Sequence, residues 1–156
     1  MQIFYSWQTD ADRKINKDFI HDALVAAIKE INSDISLSEA DRRDDLLTLD
    51  QDTKGILGSP PIAETILKKI AAADVIVLDV SLIASGREQK RHINSNVAIE
   101  LGYALGKRGY EPLLKVMNTY FGDFEKLPFD LKDRRHPVGY YLSPNATKVQ
   151  IDTERK

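Results

Sequence analysis

The feature that most constrains the fold is a short apolar run, Val-Ile-Val-Leu at residues 75–78, flanked by Asp74 and Asp79. No polar residue alternates with the apolar ones, so a strand formed by this run would be buried on both faces. Strands of that kind are typical of parallel sheets that helices cover on both sides. The run therefore predicts a central strand of an α/β domain.

Strand and helix patterns alternate on both sides of this run. Strands are predicted at residues 2–7, 46–49, 75–78, 113–117 and 138–142. Helical spacing predicts a long amphipathic helix at residues 15–31, a second helix that starts after Pro61, and a third at residues 94–105. Residues 85–94 are predicted to form a polar, basic loop. This order predicts a doubly wound, mostly parallel five-stranded sheet with helices on both faces.

Length and charge narrow the possible partners. The chain has 156 residues and a net charge of -2. We expect one domain at residues 1–142, followed by a polar tail or a linker to a possible sensor domain at residues 143–156. The charge gives no reason to expect nucleic acid or a membrane surface as a partner. No apolar run approaches the roughly 20 residues of a membrane helix, and no signal peptide is recognisable, so we expect a cytoplasmic protein.

Several chemistries are absent from the sequence. There is no cysteine, which excludes a disulfide framework, a thiolate zinc site and a cysteine nucleophile. The three histidines lack ligand spacing, so no metal site is expected. No P-loop, dinucleotide-binding glycine motif or serine hydrolase elbow is present either.

Polar and aromatic residues follow the predicted strands, at the ends where such sheets bind ligands. They are Tyr5, Ser6 and Trp7 after the first strand, Asp50 and a glycine loop after the second, Asp79 after the third, and Asn96 and Glu100 at the start of the third helix. One cleft could therefore hold all of them. Trp7 or Tyr5 could stack on a flat base. Asp79 could orient a hydroxyl group, or it could simply end its strand.

Glu100 is the strongest candidate for chemistry. It lies next to the apolar stripe of its helix, where packing should dominate, and it is either a catalytic acid or an ordinary ion-paired one. Gly102 and Gly106 leave a neighbouring helix face nearly bare. Because glycine costs about 1 kcal/mol within a helix, we expect another backbone to approach that face closely.

Five stretches together resemble bacterial TIR-like domains, of the kind fused to nucleotide-sensing modules in anti-phage defence. They are residues 3–10 (IFYSWQTD), 49–60, 73–80, 94–105 and 116–119. The segment Glu-Leu-Gly-Tyr-Ala, which starts at Glu100, is also similar to nucleoside deoxyribosyltransferases. These enzymes share the fold type and use a glutamate at the sugar.

The resemblance implies a TIR or flavodoxin-like fold and cleavage of the nicotinamide–ribose bond of NAD+, with NAD+ as substrate and no further cofactor. By resemblance Glu100 is the catalytic glutamate. Phe4, Tyr5 and Ser6 match the first-strand end of the NAD+ pocket. Residues 55–60, which include Gly55, Gly58 and Ser59, match a mobile loop after the second strand. Self-association into a filament or oligomer is implied as well. A non-catalytic interaction module and a free deoxyribosyltransferase remain alternatives.

Overall fold

A computed structural model describes residues 1–38, 46–52, 61–85, 90–132 and 136–155 of the chain. The strands in these ranges are β1 (Gln2–Ser6), β2 (Thr48–Gln51), β3 (Val75–Asp79), β4 (Leu82–Ser85), β5 (Lys90–Ile93), β6 (Leu113–Asn118) and β7 (Val138–Tyr140). The helices are α1 (Lys17–Ser38), α2 (Ile62–Ala72), α3 (Ser95–Arg108), α4 (Phe129–Lys132) and α5 (Lys148–Glu154). None of these helices is long and apolar enough to cross a membrane.

Five of the strands form one sheet in the order β2-β1-β3-β6-β7, and every neighbouring pair is parallel. In the centre, Ile3 of β1 lies opposite Leu49 of β2 and Val75 of β3. This is the flavodoxin-like order, in which the chain reverses direction across the sheet beside β1. The predicted doubly wound, five-stranded parallel sheet is confirmed.

The sheet separates two hydrophobic layers. Phe4, Ile76 and Leu78 face the layer that α2 and α3 cover. Tyr5 and Val77 face the opposite layer, which α1 and α5 cover. Because consecutive strand residues point to opposite faces, a strand with helices on both sides needs an unbroken apolar run, as β3 has.

The region predicted as a basic loop, residues 85–94, contains β5 and the last residue of β4. β4 and β5 pair antiparallel, with Leu82 opposite Ile93, and both of these side chains are buried in the core. The loop prediction was therefore wrong for residues 90–93, which form β5. Residues 86–89 lie outside the described ranges. The reason is that one apolar residue at each end fixes the hairpin, which is too little to produce a recognisable strand pattern.

The segment predicted as a polar tail contains a helix that packs on the domain. Residues 148–154 form α5, which begins at Thr147 with a capping box that Gln150 completes. Ile151 of this helix is buried in the same layer as Phe19. One buried side chain among polar neighbours gives no helical periodicity, so the sequence concealed a segment that packs on the domain.

Candidate functional site

A cleft of about 190 Å³ lies at the carboxyl end of β1, between the segment that follows this strand and α3. Six of the residues predicted from sequence line it: Phe4, Tyr5, Ser6, Trp7, Asn96 and Glu100. The position agrees with the general rule that doubly wound sheets bind ligands where the strand order reverses.

The start of α3 is held in place by Asn94. Its Oδ1 accepts hydrogen bonds from the backbone N–H groups of Asn96 at 2.9 Å and Val97 at 3.2 Å, which caps the helix. Its Nδ2 donates to the carboxylate of Asp10, which belongs to the segment after β1. Asn94 thus joins the two chain segments that form the walls of the cleft.

Glu100 lies one turn into this helix and contacts the end of β1. The Oγ of Ser6 donates a hydrogen bond to Glu100 Oε2 at 2.6 Å. Burial raises the pKa of Glu100, the hydrogen bond from Ser6 lowers it, and the charge of Asp52 raises it further. The carboxylate is therefore fixed in a partly desolvated position, where it interacts strongly with positive charge.

The aromatic residues at the end of β1 differ in exposure. Phe4 and Tyr5 are fully buried, and the hydroxyl of Tyr5 donates to the carbonyl of Lys17 at 3.4 Å. Trp7 is only half-buried, and the Nζ of Lys17 lies 3.1 Å from the centre of its ring. Of the two aromatic residues predicted to stack on a base, Trp7 is the one with accessible ring surface.

Asp79 is fully buried and does not line the cleft. It accepts hydrogen bonds from Asn16 Nδ2 at 3.1 Å and from the backbone N–H of Ser81 at 3.0 Å. Burial raises the pKa of Asp79, while hydrogen bonds from the side chain and backbone of Ser81 and from Asn16 lower it. Of the two roles considered for this residue, the structure favours the end of its strand.

Asp50 is also away from the cleft. It lies within β2, which starts two residues later than predicted, and accepts from Lys69 Nζ at 2.7 Å and Gln2 Nε2 at 3.0 Å. Asp52 lines the cleft instead, with a φ of 53° that is unusual outside glycine. The predicted residues Gly55, Gly58 and Ser59 lie outside the described residues.

Sequence reasoning missed four polar residues that line the cleft. They are Gln8, Thr9, Asp52 and Asn94. Their position in the sequence could have revealed them, because each lies within three residues of a predicted strand end or helix start. Among the described lining residues, Asp52 and Glu100 are acidic and none is basic. The described residues contain no cluster of three or more potential metal-binding side chains.

Comparison with protein-family models finds none that matches this chain, and comparison with curated proteins finds no match either. The fold and the site define a class of protein: a flavodoxin-like α/β domain with a cleft at the carboxyl edge of its sheet, in which Asp52 and Glu100 are the acids among the described lining residues.

Proposed function

We propose that this domain is an NAD+ glycohydrolase, which breaks the nicotinamide–ribose bond and acts as an assembly-activated effector, as in anti-phage defence. The observation that carries the proposal is the Glu100 carboxylate, which Ser6 holds in the cleft at the end of β1. The identity of the substrate comes from the resemblance to TIR-like domains. The geometry supports it by placing the matching glutamate and an accessible indole in one cleft.

The reaction needs few groups beyond this carboxylate. As the C–N bond breaks, its electron pair leaves with nicotinamide, and an oxocarbenium-like ribosyl group with positive charge at C1′ remains. Glu100 stabilises that charge, or attacks C1′ to form a transient ester. Water then adds to C1′, displacing the Glu100 carboxylate where the ester has formed, and loses a proton to solvent. Nicotinamide leaves as a neutral molecule, so no general acid is required.

The acids of the cleft support binding of the cationic nicotinamide end of this substrate. The described lining residues include two acids, Asp52 and Glu100, and no basic side chain. Such a surface attracts the cationic nicotinamide ring and repels anionic groups placed at the same point. After cleavage the ring is neutral, so this attraction is lost and the product is released more readily.

A second candidate function, a non-catalytic self-association module, is favoured by an exposed face of α2 and α3. Ile62 and Ile99 on these helices are 63% and 65% exposed. A Cβ added at Gly102 or Gly106 would meet no atom within 4 Å. The close backbone approach expected at these glycines does not occur among the described residues, so that prediction is wrong there, and the bare helix face is open to another copy of the chain. The two functions are compatible in one protein.

The test is nicotinamide release from NAD+ by the purified domain, measured over a wide range of protein concentrations. We expect cleavage whose specific activity rises with concentration, because assembly follows mass action. A parallel reaction with a deoxynucleoside and a second free base tests the deoxyribosyltransferase alternative. Specific activity that is constant down to the lowest concentration would remove the assembly step. A folded, self-associating protein that releases no nicotinamide would favour the interaction module.

A further inference from the structure

Two hydrogen bonds join the segment after β1 to the start of α3. The first lies inside the cleft, where the Oγ of the buried Ser6 donates to Glu100 Oε2 at 2.6 Å. The second lies nearer the surface, where the carboxylate of Asp10 accepts from Asn94 Nδ2. Asp10 is exposed and, unlike Ser6, does not line the cleft. It is therefore a surface acid whose hydrogen bond reaches the wall that carries Glu100.

The contact with Asp10 fixes the orientation of a buried amide. Asn94 is 7% exposed, and its Oδ1 caps α3 by accepting from the N–H groups of Asn96 and Val97. Its Nδ2 lies on the other side of the amide and donates to Asp10. Loss of the acceptor of a buried donor costs about 1–3 kcal/mol. Without Asp10 the amide would gain free energy by turning towards water, which would release the start of the helix.

The start of α3 is connected to Glu100 by helix geometry. In an α-helix each N–H donates to the carbonyl four residues earlier, so the N–H of Glu100 pairs with the carbonyl of Asn96. Asn94 in turn holds the N–H of Asn96. Farther along the helix, Leu101 and Ala104 are buried in the core. A loosened cap therefore displaces the first turn and Glu100 beside it, while the rest of α3 stays packed.

We propose that Asp10 is a positioning residue, which acts through Asn94 to hold Glu100 in hydrogen-bond contact with Ser6. This inference rests on the proposed function, in which the carboxylate must be held beside the charge that develops at C1′. Asp10 itself lies outside the lining of the cleft. Its removal should therefore slow the reaction without weakening the binding of NAD+.

The experiment compares Asp10→Ala with Asp10→Asn. Both remove the same negative charge, but asparagine keeps a side-chain oxygen that can accept from Asn94. For Asp10→Ala we expect kcat for nicotinamide release to fall about 5-fold, with KM for NAD+ changed by less than about 2-fold. Asp10→Asn should retain at least about half of the activity of the unmodified protein. Equal losses in the two variants would show that the charge of Asp10 matters rather than its contact with Asn94, and would overturn the inference.

The pH dependence of activity is a readout that a general loss of stability would not change. The hydrogen bond from Ser6 lowers the pKa of Glu100, so a weaker contact should raise this pKa in Asp10→Ala. Asp52, whose charge raises the same pKa, is present in both variants. The acid limb of the profile should move to higher pH in Asp10→Ala and stay in place in Asp10→Asn.

A double variant tests the route through Ser6. In a protein that already carries Ser6→Ala, the contact with Glu100 is lost, so Asp10→Ala should move the acid limb no further. A second shift as large as the first would mean that Asp10 acts independently of Ser6, which contradicts the proposed route.

Asp12→Ala is the matched control. Asp12 is an exposed acid in the same segment, and its Oδ1 accepts from the backbone N–H of Lys14 at 2.9 Å. The variant removes the same charge and one hydrogen bond, and it should keep kcat and the pH profile. If Asp12→Ala shifted the profile as much as Asp10→Ala, the effect would come from the packing of the segment, and Asp10 would have no special role.

Titration of the Glu100 carboxyl group by NMR separates this inference from the proposed function, because it needs no substrate. A pKa that rises in Asp10→Ala and not in Asp10→Asn supports the positioning of Glu100 by Asp10. The same result in a protein that releases no nicotinamide would support this contact and reject the proposed function. NAD+ cleavage by the unmodified protein, together with an unchanged pKa and kcat in Asp10→Ala, would leave the proposed function intact and reject Asp10 alone.

Discussion

Two carboxylic acids lie close to the carboxyl edge of the sheet, and they differ in what surrounds them. Asp79 ends β3, and burial raises the pKa of its carboxyl group. Glu100 lies on α3, and burial raises the pKa of its carboxyl group too. Asp79 is enclosed by protein, whereas Glu100 lines a cleft. A raised pKa is therefore not sufficient to identify a catalytic acid.

Hydrogen-bond partners distinguish the two acids. Asp79 accepts from Asn16 and from the backbone of Ser81, which joins the turn before α1 to the end of β3. Within the described residues Glu100 accepts one hydrogen bond, from Ser6. A carboxylate can accept about four hydrogen bonds, so Glu100 has acceptor capacity that a ligand can use. Asp79 uses its capacity to hold the fold together.

The difference between the two acids predicts the largest change in activity for Glu100→Gln. The substitution keeps the shape of the side chain and removes the negative charge, so NAD+ cleavage should fall by about 10³-fold or more while the fold is retained. Nicotinamide release and a thermal melt are the two measurements. Glu30→Gln, an exposed acid on α1, is the matched control and should keep full activity. Equal turnover by folded Glu100→Gln protein would reject the enzymatic role.

Asp79→Ala should lower the stability of the fold and leave the activity nearly unchanged, the opposite of Glu100→Gln. It leaves the Ser81 N–H without its acceptor and removes one of the two acceptors of Asn16 Nδ2, which should lower the free energy of unfolding by about 2–4 kcal/mol. For a domain of this size that corresponds to a Tm lower by roughly 5–15 °C. Activity per folded molecule should stay within about 3-fold. A larger loss of activity without loss of stability would place Asp79 in the site after all.

Asp79 should also contribute to the pH dependence of the free energy of unfolding. Its pKa is raised in the folded state, so between the ordinary value and the folded value the native protein binds more protons than the unfolded one. Stability from this group is therefore present at low pH and is lost as the pH rises through the folded pKa. Melts from pH 4 to 8 should show this fall in the unmodified protein and a shallower one in Asp79→Asn.

Sequence patterns sufficed for the fold because the relevant information was local. The unbroken apolar run of β3 lies within one strand, and the apolar stripe beside Glu100 lies within a few turns of one helix. The hairpin of β4 and β5 and the short helix α5 were missed, since each is fixed by one or two buried residues such as Leu82 and Ile151. Packing against distant parts of the chain, rather than local periodicity, determines these elements.

The candidate site was only partly predictable for the same reason. Ser6 and Glu100 are 94 residues apart, and Asp10 and Asn94 are 84 apart, so no local pattern reveals either pair. Position near the carboxyl edge of the sheet also could not separate Glu100, on α3, from Asp79, at the end of β3. That distinction depends on which acid the turn before α1 covers, and Asn16 in that turn gives no signal in the sequence.

Ser6→Ala tests how the protein sets the charge of Glu100. The Ser6 hydroxyl stabilises the ionised carboxylate, so its removal should raise the pKa of Glu100 further. In the proposed mechanism Glu100 acts in its ionised form, so the acid limb of the pH–activity profile should move to higher pH, with activity near pH 6 reduced about 10-fold. Ser33→Ala on α1 is the control. An unchanged profile would mean that Ser6 does not tune the carboxylate.

The smallest effect is expected at Lys17, whose ammonium group lies over the ring of Trp7. It covers one face of the indole, and burial lowers the pKa of Lys17. A cationic nicotinamide stacked on the other face would be repelled by this charge across the ring. Lys17→Met keeps the aliphatic contact and removes the charge, so KM for NAD+ should fall about 2-fold to 3-fold with little change in kcat. Trp7→Leu should raise KM instead. If neither substitution alters KM, the indole does not contact the substrate. The substrate would then bind only to the part of the cleft around Ser6 and Glu100.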